Sequence, residues 1–272
     1  VPTLTDKGDW KDAFSRRDQQ PYGTYLVYEQ LPALFADSQL TEVKQNLFDQ
    51  LVFQFYDSTA YVFINETLPL NPEETDELYT FVEQGNIALL ALREFPDLLM
   101  QALETETATS AISKRDSLSL RWEGEGPKGQ VFQFPRYRMP TYLRTYNPAY
   151  SKVLARTQEG EVRALKVSVG EAGGFFLLVT EPRMLTNYYL RHPENHAFIA
   201  AVFSQVPSHY DLFWDEYYKV QLMRRRAARG ERGADGQSSA GDKLGFIMTH
   251  EALRWAFWLL LGGLALYLIF AA

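Results

Sequence analysis

The chain has 272 residues, 46% of them hydrophobic, 14% aromatic and 22% charged, a balance that suits one sizeable core and excludes a disordered or fibrous chain. Residues 1–222 carry 30 acids against 20 bases, so this part repels a phosphate backbone and nucleic acid is excluded as a partner. Without cysteine there is no disulfide, no thiolate zinc site and no Cys nucleophile.

The sequence opens on Val1 rather than Met, which points to a trimmed N-terminus, and its apolar end at Ala272 points to a further tail. The loop Asp18-Gln-Gln-Pro21-Tyr22-Gly23 is followed by TYLVYEQLPALF, whose apolar spacing at Leu26, Val27, Leu31, Leu34 and Phe35 predicts an amphipathic helix. TAYVFI (59–64) is β-branched and aromatic, and predicts a buried strand ending at Asn65. Asn71-Pro72-Glu73-Glu74 carries an N-cap, a first-turn proline and two acids, so a helix starts there and stops at Gly85. IALLAL (87–92) is a second buried strand, completing a βαβ unit with a right-handed crossover, and FPDLLMQAL is the next helix.

Residues about 105–170 change character. Short alternating stretches broken by Gly and Pro predict an antiparallel insertion or small β-subdomain beside a parallel sheet. GFFLLV (174–179) returns to the fully apolar pattern. EPRMLTNYYL then leads into a helix, HAFIAAVFSQV, and YDLFWDEYY (210–218) reads as a last strand.

Residues 223–250 read as a basic flexible linker, with five Arg and one Lys against three acids over 223–243. The Arg224, Arg225, Arg226 run is either ordinary solvated linker or a contact to anionic lipid headgroups. WAFWLLLGGLALYLIFAA (255–272) holds no charge, is long enough for a bilayer core, and carries Trp255 and Trp258 at its entry. The expected plan is an α/β globular domain over 1–222, the linker, and one C-terminal transmembrane helix over 251–272, placing the protein in the cell membrane with the lipid bilayer as one partner.

DQQPYGTYLVYEQLPALF, YVFINETLPLNPEETDELYTFVEQGNIALL, LLVTEPRMLTNYYL and FWDEYYK, followed by a linker and LRWAFW, resemble a bacterial family of membrane-anchored proteins carrying a domain of unknown function akin to the class I glutamine amidotransferase-like fold. The resemblance implies a flavodoxin-like parallel-sheet sandwich on the outer, extracytoplasmic face of the membrane, and genes near MoxR-type AAA ATPases. The positions it picks out are Asp18, Pro21, Tyr22, Gly23, Asn65, Gly85, Asn86, Asn187, Tyr188, Asp215, Glu216 and Tyr217.

Open α/β sheets bind ligands at the carboxyl ends of their strands. Asn65 and Glu181 lie just past predicted strands and are expected at such a crevice, with Asn187 and Glu216 as neighbours. The resulting binding candidates are Asp18, Tyr22, Gly23, Asn65, Glu181, Asn187, Tyr188, Asp215 and Glu216. Two of these stretches have a plainer reading: Pro21-Tyr22-Gly23 as a turn feeding a helix, Asp215-Glu216-Tyr217-Tyr218 as a packed edge strand. His192 and His196, four apart, are weak metal candidates with Glu194 as a third ligand, against solvated or capping histidines at a helix start.

The amidotransferase Cys is missing, and no Gly-x-Ser-x-Gly elbow or phosphate-cradling glycine motif replaces it, so no cofactor is implied. The expectation is a membrane-tethered, non-catalytic binding or scaffold protein for a partner protein or small ligand. A Cys-less hydrolase or metal-dependent enzyme on the same fold is the alternative. It needs His192, His196 or His209 to meet carboxylates in one pocket.

Overall fold

A computed structural model describes residues 10–52, 54–110, 117–135, 141–192 and 195–228. Two compact units divide the chain, Val1–Arg224 and Arg225–Ala272, and only Arg225–Ala228 of the second is described.

The first unit runs α1 (Tyr25–Leu34), β1 (Leu40–Val43), α2 (Leu47–Leu51), β2 (Thr59–Ile64), α3 (Pro72–Glu83), β3 (Ile87–Ala91) and α4 (Asp97–Ala102). Then come β4 (Glu106–Thr109), β5 (Ser117–Trp122), β6 (Val131–Pro135), β7 (Thr141–Thr145), β8 (Ser151–Arg156), β9 (Val162–Val169) and β10 (Gly174–Val179). A 3-10 turn at Pro182–Leu185 leads to α5 (Asn187–Arg191), α6 (His196–Phe203), β11 (Asp211–Asp215) and α7 (Tyr217–Ala228), which crosses into the second unit.

Eleven strands form one mixed sheet in the order β1-β11-β2-β3-β10-β9-β8-β5-β6, with β7 joined to β9 and β4 joined to β7. The first five are parallel to one another, and everything beyond β10 is antiparallel. This corrects the expected parallel-sheet sandwich. The β-rich stretch extends the same sheet, because β9 pairs along the whole of β10.

Period-two alternation of the apolar strands builds two cores. Ala60, Val62, Ile64, Ile87, Leu89, Phe175 and Leu177 face one, under α1, α5 and α6 through Val27, Leu31, Tyr189 and Phe198. Tyr61, Phe63, Ala88, Leu90, Phe176 and Leu178 face the other, under α2, α3 and α4 through Leu47, Leu78, Phe81 and Leu99.

The two faces set up one topological feature. After β3 the chain turns into α4 on the second face; after β10 it turns into Met184, Leu185 and Tyr189 on the first. Neighbouring parallel strands therefore send their chains to opposite sides, leaving a switch point between the carboxyl ends of β3 and β10.

The final strand is shorter than expected. It stops at Asp215, whose Oδ1 accepts from the Tyr218 amide at 3.2 Å, and Tyr217-Tyr218 begin a helix instead. An acid at this position caps the incoming turn and ends the strand.

No helix among the described residues is long and apolar enough to cross a membrane. A single-pass membrane protein, and the cell-membrane placement read from it, is therefore not supported. The segment expected to span, 251–272, lies outside the described residues, as does the linker beyond Ala228.

Candidate functional site

Most of the residues singled out in the sequence converge on the chain's own N-terminal segment, residues 10–26, which runs beside the carboxyl ends of the parallel strands. Asn187 is buried at the start of α5. Its Nδ2 donates to the carbonyls of Asp18 (2.9 Å) and Gln20 (2.8 Å), and its Oδ1 accepts from the Leu26 amide at 2.8 Å. Every hydrogen bond that side chain offers toward the loop is spent on shaping residues 18–26. The Asp18 carboxylate itself accepts from the Gln20 amide at 2.8 Å.

Gly23 is required by this packing, since a Cβ there would meet the Asp18 carbonyl oxygen at 2.0 Å. Tyr22 and Tyr188 form an edge-to-face cluster with Trp10, at centroid distances of 5.5 Å for Trp10–Tyr22, 5.3 Å for Trp10–Tyr188 and 6.4 Å for Tyr22–Tyr188. Burial pushes the Tyr22 phenol up, against the pull of the Arg183 guanidinium 4.5 Å from its ring.

Glu216 grips the same segment further along. Its carboxylate accepts from Ser15 Oγ (2.9 Å), the Arg16 amide (3.1 Å), Trp214 Nε1 (2.9 Å) and Lys219 Nζ (2.8 Å). Burial works to raise its pKa, but the Lys219 ammonium and these donors together hold it below the usual carboxylate range. Lys219, itself buried, also donates to the Phe14 carbonyl at 2.8 Å, and Thr24 Oγ1 donates to the same oxygen at 2.9 Å. The Phe14 ring is fully buried, and its backbone takes φ of 48°, a left-handed conformation rare for a bulky side chain.

Asp215 lies deeper. Its Oδ2 accepts from Tyr61 Oη at 2.7 Å, and burial pushes the carboxyl up to about 7 despite that bond. The neighbouring Tyr218 hydroxyl donates to Glu74 at 2.5 Å and accepts from the Leu47 amide at 2.9 Å. These groups tie β11 and α7 to α2 and α3.

At the switch point the arrangement differs. Asp12 receives a two-pronged contact from Arg183, Nε to Oδ1 at 2.7 Å and Nη2 to Oδ2 at 2.6 Å. Arg93 Nη2 reaches Asp12 Oδ2 at 3.3 Å, and Arg93 Nη1 reaches Glu66 at 2.5 Å. Glu181, 2% exposed, caps the 3-10 turn with Oε1 at 3.2 Å from the Arg183 amide. Its Oε2 is buried and has no hydrogen-bond partner among the described residues. Burial pushes this carboxyl up to about 7, and Arg93 and Arg183 pull against that shift. Asn65, 9% exposed at the end of β2, bonds through its amide to the Ala91 carbonyl at 3.1 Å.

Glu181 was legible as a charged residue just past an apolar strand. Arg93 follows β3 and Arg183 sits within the turn after β10, and the same signal would have found them. Asp12 carries no such mark, because its partners are 81 and 171 residues away.

The histidines do not come together. His192 is half-buried just past the end of α5, with Nδ1 unpartnered among the described residues, while His196 is exposed at the start of α6 and His209 is exposed in the turn before β11. Among the described residues no group of three or more His, Asp or Glu is placed to hold a metal, and Glu194 lies outside them.

An open groove of about 300 Å³ lies where β1 meets α7, lined by residues that include Glu42, Lys44, Glu216, Val220 and Arg224.

No curated protein matches the chain. Among solved structures it is similar to the mmIFT52 N-terminal domain, with 14% identity, a TM-score of 0.51, and coverage of 67% of this chain and 89% of that one. At this identity the likeness is one of fold alone. Lower likenesses are seen to the exo-beta-1,4-mannosidase Op5Man5 from Opitutaceae bacterium strain TAV5 (16% identity, TM-score 0.37, 54% of this chain and 25% of that one) and to the Cytoplasmic Protein STM3548 from Salmonella typhimurium (10% identity, TM-score 0.34, 65% and 74%). A family model described as Domain of unknown function (DUF4350) matches residues 16–203, and the chain belongs to that family.

Proposed function

We propose that the domain is a non-catalytic binding module that recognises a partner protein or small ligand at the carboxyl edge of its parallel strands. The observation that carries this reading is the switch point. Two arginines there flank a buried carboxyl whose second oxygen has no partner among the described residues, in the place where open α/β sheets take their ligands. Asn187, Asp215 and Glu216 spend their polar atoms on internal bonds, so they shape the edge around the switch point and are not themselves the groups offered to a ligand. No observation on the described residues favours the hydrolase or metal-enzyme alternative.

The resemblance of the sequence makes a MoxR-type AAA ATPase the first protein partner to test. The experiment is calorimetric titration of the purified chain with that ATPase and with a small-metabolite set. The reading expects a micromolar or tighter complex that Arg93→Ala weakens at least about tenfold. His209→Ala, before the amino end of β11, should leave it unchanged. A complex indifferent to Arg93, or lost on His209→Ala, would place recognition elsewhere and sink the reading.

A further inference from the structure

The Arg183 contact to Asp12 has the fork geometry by which a guanidinium recognises a carboxylate or phosphate. A second guanidinium, Arg93, reaches the same carboxylate from the end of the neighbouring parallel strand. The anion thus held comes from outside the sheet, on a stretch that belongs to no strand or helix. We propose that Arg93 and Arg183 form a binding site for a small oxyanion, a carboxylate or phosphate group, which Asp12 occupies in cis and an incoming ligand takes over by displacing residues 10–13.

Three features support exchange over a permanent structural ion pair. The first is incomplete satisfaction. Glu181 shares its electrostatic surroundings with Arg93, Arg183 and Asp12, yet among the described residues its buried Oε2 stays unpartnered with Asp12 in place. A buried polar atom left unmade is costly, and a protonated carboxyl can donate to one more acceptor oxygen. A ligand with a further acceptor oxygen within reach of that carboxyl would gain a bond that Asp12 does not make.

The second is where the segment is anchored. Phe14 carries a buried ring, an amide bonded to the Tyr22 carbonyl at 3.0 Å, and a carbonyl held by Lys219 and Thr24. The body of the segment is therefore fixed from Phe14 onward. Asp12 precedes that anchor, so it can leave while Phe14 stays seated, at the cost of the Trp10 contacts to Tyr22 and Tyr188. The third is preorganisation. The Arg183 guanidinium lies 4.5 Å from the Tyr22 ring and Arg93 is bonded to Glu66, so both stay in place when Asp12 departs.

An intramolecular carboxylate competes with a free one and lowers its apparent affinity. Removing the charge of Asp12 with little change of shape should therefore expose the site. This inference rests on the binding reading above and adds the ligand class and the self-occlusion.

The test uses the full chain, with inorganic phosphate and succinate titrated separately. Trp10 reports displacement, because it leaves the Tyr22–Tyr188 cluster for water, whereas Trp122 and Trp214 stay buried. At least one anion should shift the emission to the red in a saturable way, and Trp10→Phe should abolish the shift. By calorimetry Asp12→Asn should bind that anion at least about tenfold more tightly than the unaltered chain. Arg183→Lys, which keeps the charge but loses the fork, should cut binding by a similar factor. If phosphate supports the site and succinate does not, the ligand is a phosphate compound, and the converse names a carboxylate.

No saturable shift with either anion, no gain in Asp12→Asn, or binding retained in Arg183→Lys would overturn the proposal. Should Asp12→Asn fail to fold, the Trp10 titration and Arg183→Lys still decide the matter. An Arg93-dependent complex with the ATPase or another ligand, seen alongside indifference to both anions, would remove this inference and leave the binding reading standing.

Discussion

Glu181 is carried into the interior by the turn after β10, and the cost of ionising it there becomes a dependence of stability on pH. A free Glu ionises near 4.5, whereas burial holds this one near 7. Below 4.5 both folded and unfolded chains carry the proton, so the group costs nothing. As pH rises from 4.5 through about 7 the unfolded chain releases a proton that the folded chain keeps, and stability falls until the folded carboxyl also ionises. At about 1.4 kcal/mol per unit, the loss is on the order of 3 kcal/mol. Asp215 acts in the same direction, since burial raises its carboxyl from 3.8 to about 7. Urea unfolding of the native chain and Glu181→Gln at pH 5 and pH 8 measures the Glu181 share. The variant should gain stability relative to the native chain by a few kcal/mol at the higher pH; an equal difference at both would refute the burial argument. Asp18, Tyr22, Gly23, Asn187 and Tyr188 are picked out in the sequence one by one through the family resemblance, and the structure brings them together around residues 18–26. Their common partner was hidden, because a side chain's hydrogen bonds to a loop more than 160 residues away leave no periodic trace.

Local chemistry made some elements readable and long-range pairing concealed others. β2 and β10 are fully buried on both faces, so their apolar runs match their observed bounds. α3 begins with a reciprocal cap: Asn71 Oδ1 accepts from the Glu74 amide at 2.8 Å, and Glu74 accepts from the Asn71 amide at 2.9 Å. Gly85 follows the helix with φ of +105°. Asn71→Ala should cost about 1 kcal/mol in chemical denaturation, and the absence of any loss would show that tertiary packing alone holds this helix start. β1 escaped notice because it is an edge strand, and of its four residues only Val43 is buried. α7 escaped because aromatic residues from Tyr210 to Tyr218 mimic a strand, while the Asp215 cap that breaks it lies within the run.

At the scale of the molecule, the sequence conveyed a βαβ unit and a β-rich stretch but not their union. Nothing local to β9 or β10 says that they pair antiparallel, yet that pairing turns a five-stranded parallel sheet into a mixed sheet of eleven. The return of the chain from β10 to β11, inserted between β1 and β2, creates the switch point, and the segment from residue 10 onward runs against that edge. This segment is part of the folded body from Phe14 onward, with Asp12 closing the arginine pair ahead of it. Native-state amide hydrogen exchange tests it most directly, through Phe14 (bonded to the Tyr22 carbonyl) and Arg16 (bonded to Glu216). Both amides should exchange as slowly as those of β2, on the timescale of global unfolding. Exchange at the rate of an open chain would show the segment undocked, and would contradict the account.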